Sequence, residues 1–246
     1  MIALKNVSKS FGEKRVLRNV SLTVPDGEIC FFLGKSGTGK SVLLKHLLGI
    51  MQPDEGTVAV DEFRLAELTP ETHRELFRRC GIVFQFPALL DSLTVAQNVI
   101  MAMPGFAKWN EEAAIAKSLP WLAQVGLGDE VASHHPVELS FGVQKRVAIA
   151  RAMAVEPKHL LFDEPTTGLD PIASDAIHAL IRKVTKSHGM TAIVVIHDLR
   201  RALAVADRLV MLDAGEIVFD GKPAEFSRCE HPTARQFLQA NDRNYR

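Results

Sequence analysis

The sequence predicts an α/β fold: a mostly parallel β-sheet core, an antiparallel β subdomain on its N-terminal side, and an inserted α-helical subdomain. Three observations predict it. Four apolar runs, EICFFLG (28–34), GIVFQ (81–85), HLLFDE (159–164) and MTAIVVIHD (190–198), do not alternate with polar residues. Strands of a parallel sheet, buried on both faces, read that way. The segments IALKNVSKSF, RVLRNVSLTV and LVMLDAGEIVFDG do alternate, as half-exposed antiparallel hairpins do. Between residues 88 and 156 the strand signals vanish, and EEAAIAKSLPWLAQVGL and VQKRVAIARAMAV carry helical spacing instead.

The bulk properties fit one such unit. The chain has 246 residues, 47% hydrophobic and 24% charged, enough for a large core. Residues 1–246 are read as a single domain, with 1–87 and 157–246 forming the core and 88–156 the helical insertion. Formal net charge is zero, so no global field favours nucleic acid. The three cysteines are scattered, which argues against a disulfide framework or a zinc site. His134-His135 lacks further ligands at metal spacing. No secretory signal is expected in MIALKNVSKSFG. The apolar runs are about five residues long, whereas a membrane span needs about 20. Work at a membrane would need a partner's span.

The first apolar run leads into Gly34-Lys35-Ser36-Gly37-Thr38-Gly39-Lys40-Ser41, which is GxxxxGK[ST]. Glycines let the backbone curl so that N–H groups point at phosphate oxygens. Lys40 supplies a point charge to the β- and γ-phosphates, and Ser41 a hydroxyl to Mg²⁺. Leu43, Leu44, Leu47 and Leu48 then form a helical stripe, closed by Gly49 as C-cap. That helix would aim its N-terminal dipole at the phosphates. The fold is therefore expected to be a P-loop NTPase with a RecA-like sheet.

The run HLLFDE ends in two acids. Ligands of open α/β sheets lie beyond the carboxyl ends of the strands, so Asp163 is expected near Mg²⁺ and Glu164 beside an attacking water. Phosphoryl transfer asks mostly for placed charge and water. Without the P-loop, the acids would rather be read as caps of a following turn, since Pro165 comes next. His197 and Gln85 end two other runs, where His197 could touch the γ-phosphate and Gln85 reach Mg²⁺ or water.

This order of motifs resembles that of the ATP-binding cassette ATPases of ABC transporters, along essentially the whole chain. GKSGTGKS matches the Walker A loop, Gln85 the Q-loop glutamine, LSFGVQKR (139–146) the signature, LLFDE Walker B, Gly168-Leu169-Asp170 the D-loop and His197 the switch histidine. The resemblance implies ATP and Mg²⁺ as ligands, with Ser41, Gln85 and Asp163 around the metal. It implies Glu164, His197 and Lys40 as catalytic residues, and Phe11 stacking on adenine. It also implies a head-to-tail homodimer in which each ATP meets Lys40 of one copy and Ser140 and Gly142 of the other, with Asp170 nearby. A groove near Gln85–Thr94, with Phe86–Thr94 reading FPALLDSLT, would receive an integral-membrane permease subunit, unless that loop folds onto its own core. Accessory and substrate-binding subunits could complete such a machine. The chain would then sit on the cytoplasmic face of the inner or plasma membrane.

The signature departs from the family's LSGGQ: Phe141 replaces the first glycine and Val143 the glutamine. If Ser140 is the N-cap, residues 141–143 are helical with negative φ, where a bulky side chain carries no backbone penalty. A working variant is expected, provided the Phe141 ring does not crowd the neighbour's nucleotide. The chain lacks the long coiled coil of chromosome-maintenance cassettes, the second cassette of translation-factor types, and the DxxG and NKxD of GTPases. GKSGTGKSVLLKHLLGIMQPDEGTV, with Val42 where most cassettes have threonine, is similar to the ATPases of Mla/Mce-type phospholipid transporters. Lipid cargo is therefore expected, with Val42 near the nucleotide. The alternatives are an importer of another cargo and a cell-division-like switch without transport.

Overall fold

The computed structural model describes residues 1–243. The chain begins with two long strands, β1 (Ile2–Phe11) and β2 (Lys14–Val24). Strand β3 (Ile29–Leu33) leads through the P-loop into α1 (Lys40–Leu47). Strands β4 (Glu55–Val60) and β5 (Phe63–Arg64), helix α2 (Pro70–Arg79) and β6 (Cys80–Val83) follow. The helical insertion comprises α3 (Val95–Ile100), α4 (Glu111–Gln124) and α5 (Phe141–Met153), joined by 3₁₀ turns. The core resumes with β7 (His159–Asp163), α6 (Pro171–Ser187), β8 (Thr191–Ile196) and α7 (Leu199–Val205). It closes with β9 (Arg208–Asp213), β10 (Glu216–Gly221) and α8 (Pro232–Arg243).

The expected α/β architecture is present. A six-stranded sheet has the order β10-β9-β3-β8-β7-β6, parallel throughout except for the β9/β10 hairpin at its edge. A four-stranded antiparallel sheet, β2-β1-β4-β5, forms the N-terminal subdomain. Sequence reading anticipated its first hairpin but not β4, whose pairing with β1 joins segments about fifty residues apart.

The doubly buried strands explain their unbroken apolar sequences. In β3, Ile29, Phe31 and Leu33 face a core shared with α3 to α7, whereas Cys30 and Phe32 face a second core. That second core is filled by α1 leucines and the apolar face of the N-terminal sheet, so α1 lies between the two sheets. The leucine stripe of α1 is buried as expected, and Gly49 takes φ 66 beyond its C-terminus, a conformation that favours glycine. Helix starts are marked by side-chain caps at Thr69, Thr94, Asn110, Ser140, Asp170 and Asp198. Among the described residues no helix is long and apolar enough to cross a membrane.

A buried joint ties the two sheets together. Asp61, in the β4–β5 turn, accepts hydrogen bonds from Lys158 Nζ (2.6 Å) and the amino terminus (2.6 Å), and it pairs with His159 Nε2 (2.9 Å). Burial alone would raise its pKa. The bonds from Lys158, the amino terminus and His159 outweigh that and hold the carboxyl well below the usual carboxylate range.

Candidate active site

Strand order decides what meets at the site. The P-loop leaves β3, His197 follows β8, Asp163 and Glu164 end and follow β7, and Gln85 comes after β6. These four strands are consecutive neighbours, and they are parallel. Their carboxyl ends therefore deliver the P-loop, the histidine, the acid pair and the glutamine in one line along one edge.

The P-loop is built for close backbone approach. A Cβ on Gly34 would stand 2.5 Å from the Leu212 carbonyl oxygen, and one on Gly39 would stand 2.7 Å from Leu17. Gly37 and Gly39 also have φ 80 and 105, which side chains rarely tolerate. Gly39 precedes α1 directly, so the helix dipole points at the loop. Lys40 is only 5% exposed. Its Nζ donates to the carbonyls of Gly34 (2.7 Å) and Lys35 (2.8 Å). Burial lowers its pKa, while Glu164 and Asp163 act the other way. Lys35 Nζ reaches Gln236 Oε1 of α8 at 2.8 Å, and the Thr38 hydroxyl caps the loop on the Lys35 carbonyl at 2.9 Å. Ser36, like Lys35, is exposed at the loop's rim.

Ser41 Oγ donates to Asp163 Oδ1 at 3.0 Å. The pair links the helix after the P-loop to the end of β7 across 122 residues of sequence. Burial raises the Asp163 pKa and Ser41 opposes the rise. A hydroxyl and a carboxylate converging beside a phosphate loop form an all-oxygen donor set, which suits a hard cation such as Mg²⁺. Gln85 lies exposed at the same edge, two residues beyond β6 rather than at its end.

Glu164 has φ 46, a left-handed conformation that is uncommon outside glycine, and its N–H donates to Val195 O of β8 at 3.0 Å. Its Oε2 accepts from the Thr167 hydroxyl at 3.1 Å and lies 3.4 Å from His197 Nδ1. Glu164 thus braces the following turn through Thr167 and also faces His197, while Asp163 turns to the P-loop side. The two carboxylates have separate partners: Asp163 has Ser41, and Glu164 has Thr167 and His197.

Other residues expected at the site divide into two groups. Ser140 caps α5, accepting from Val143 N at 3.4 Å, and is itself exposed. Phe141, Gly142 and Val143 are the first helical positions, as expected. Phe11 is 47% exposed at the end of β1, with Lys9 Nζ 5.8 Å from its ring centre. Asp170 is exposed at the start of α6, where its Oδ1 accepts from Ala173 N at 2.9 Å and caps the helix. Val42 is half-buried against the second core, so its side chain serves helix packing. Arg201, near the start of α7, is held by acids on both sides: its Nε bonds Asp175 at 3.0 Å and its Nη1 pairs with Asp198.

The loop 86–94 is only partly folded onto the core. Buried Asn98 bonds Leu90 through both its backbone groups, at 2.8 and 3.0 Å, which fixes the loop's shape. Phe86 and Leu90 nevertheless remain 68% and 45% exposed. Beside them lies a groove of about 380 Å³ lined by Phe77, Phe84, Ala88, Met101, Arg151 and Val155.

One feature eluded sequence reading. Lys145, in a polar-looking QKR run of α5, is fully buried. Its Nζ donates to the Gln85 carbonyl and lies 5.1 Å from the Phe141 ring centre. Burial pushes its pKa down to about 8.

The profile of the family described as "ABC transporter" matches residues 17–167. The chain is 40% identical over 224 residues to the glutamine transport ATP-binding protein GlnQ of Escherichia coli, covering 91% of this chain and 92% of GlnQ. It is 36% identical over 240 residues to the methionine import ATP-binding protein MetN of Brucella abortus, covering 97% of this chain but only 64% of MetN's length. Its fold is similar to a dimeric post-hydrolysis structure of the ATP-binding cassette MJ0796 bound to ADP and Pi. That likeness has a TM-score of 0.79 at 34% identity and covers 91% of this chain and 99% of the other. Motif order, site geometry and kinship agree, and the chain belongs to the ABC transporter family as an ATP-binding cassette.

Proposed function

We propose that the chain binds ATP with Mg²⁺ and hydrolyses it as the motor subunit of a membrane transporter. The observation that carries this reading is the Ser41–Asp163 bond beside the P-loop, with Glu164 and His197 adjacent. Ser41 and Asp163, with Gln85 at the rim, would hold Mg²⁺, which supplies charge neutralisation to the phosphates when bound. The P-loop amides and Lys40 bind and orient the phosphates. Glu164 holds the attacking water and accepts its proton, while His197 and Thr167 fix the carboxylate's direction. Ser140 is exposed, and among the described residues its hydroxyl bonds only Val143 N at the start of α5, which leaves it open to a second copy that completes the site. The exposed Phe86–Leu90 loop and its groove suit a helix from a membrane permease, which would place the chain at the membrane's cytoplasmic face. Purified protein tests the reading: ATP turnover in the parent chain, lost in Glu164→Gln, supports it, and equal turnover in both contradicts it.

On cargo, the named relatives support import of a small polar solute such as an amino acid. The phospholipid reading rests on the stretch GKSGTGKSVLLKHLLGIMQPDEGTV and has no support from the named relatives. Purification of the complex from membranes, with identification of co-purifying proteins, solutes and lipids, separates the two. An amino-acid-binding subunit supports the first, and stoichiometric phospholipid in a lipid-binding partner supports the second. An assembly without a permease points to a switch that does not transport.

A further inference from the structure

Helix α5 holds the Q-loop by its backbone. Two of its cations, six residues apart, both reach that loop. Lys145 Nζ donates to the carbonyl of Gln85. Arg151 donates to the carbonyls of Pro87 (2.8 Å) and Ala88 (2.6 Å). Ala88 has φ 48, so the loop bends sharply where it is held. A buried ammonium is costly unless compensated. Yet no carboxylate pairs with Lys145 among the described residues, and its compensation is one carbonyl and one aromatic face. That face belongs to Phe141, the residue standing where the family signature has glycine. A fully buried lysine that makes no ion pair contributes little to stability that an apolar side chain could not supply, so its bond to the Q-loop backbone points to positioning.

We infer that Lys145 is a positioning residue: covered by the Phe141 ring, it fastens the Gln85 peptide to α5 and thereby sets where the Gln85 side chain stands at the active site. Phe141 and Lys145 then act as one unit, and the altered signature couples the Ser140 end of α5 to the Q-loop within the same subunit. The inference rests on the proposed ATPase reading.

The test compares Lys145→Met, Phe141→Gly and the double variant by thermal melting, nucleotide affinity, kcat and the Mg²⁺ concentration for half-maximal turnover. Methionine keeps the apolar stem and removes the ammonium. Lys145→Met is expected to keep its melting temperature within a few degrees and its ATP affinity within about twofold. Its kcat should fall about tenfold, and half-maximal turnover should need several-fold more Mg²⁺. Phe141→Gly should lower kcat up to about threefold alone and add nothing in the Lys145→Met background. Wild-type kcat and Mg²⁺ dependence in a folded Lys145→Met, or strictly additive effects, would overturn the inference. If Lys145→Met does not fold, Lys145→Gln is read the same way; loss of fold in both assigns the lysine to stability and also overturns it. A parent chain with no turnover sinks the ATPase reading itself, which is a distinct result.

Discussion

The ring of Phe141 lies against Gly168: a Cβ on that glycine would stand 3.1 Å from the ring's Cε1. The substituted signature thus packs onto the D-loop of its own chain and over Lys145, not outward over the face that carries Ser140. Gly168 also has φ 84. Gly168→Ala therefore meets both backbone strain and a crowded ring, and should cost about 1–3 kcal/mol of stability in denaturant unfolding. Phe141→Gly should change steady-state turnover by no more than about threefold. A hundredfold gain would mean that the native ring cripples the site.

Glu164→Gln should lower kcat by at least about 100-fold while nucleotide affinity stays within a few-fold, because the amide keeps the shape and loses the base. Equilibrium binding of a fluorescent nucleotide, alongside phosphate release, checks both halves.

Lys40→Met should abolish nucleotide binding without loss of fold. The ammonium is buried with two carbonyls as its partners and its pKa is lowered by burial. Removing that charge is therefore expected to leave the melting temperature unchanged or raised. A large drop in melting temperature would assign Lys40 a structural role instead.

Asp61 makes an acid-sensitive contribution to stability. Its folded-state pKa lies below the ordinary 3.8, so the contribution is complete above about pH 4 and is lost as pH falls further. Asp61→Asn should cost about 2 kcal/mol at pH 7, and the gap from the parent should shrink below pH 4. Urea unfolding at pH 7 and pH 3 measures this directly. A gap that did not change with pH would place the effect in packing.

Much of the site was legible because its chemistry fixes spacing along the chain. The P-loop, the Asp163-Glu164 pair and His197 each sit at the end of an apolar run, and parallel pairing carries all of them to one edge. The N-cap role of Ser140 followed from residue type and from the helical spacing after it. What sequence could not show depends on contacts distant along the chain. Strand β4 becomes a strand only by pairing with β1. Lys145 looks solvated until the Q-loop, 60 residues away, closes over it. The motif marks Asp170, but that it caps α6 through the Ala173 amide shows only in the fold. That the Val42 side chain packs on the second core likewise shows only in the fold.

The central claim is that two copies enclose ATP between the Lys40 loop of one and the Ser140-capped helix of the other. Light scattering on Glu164→Gln with ATP and Mg²⁺ tests it most directly. The account predicts monomer without nucleotide, dimer with it, and monomer again when Ser140→Arg is added, although that double variant still binds ATP. A Glu164→Gln protein that binds ATP yet remains monomeric at every concentration would contradict it.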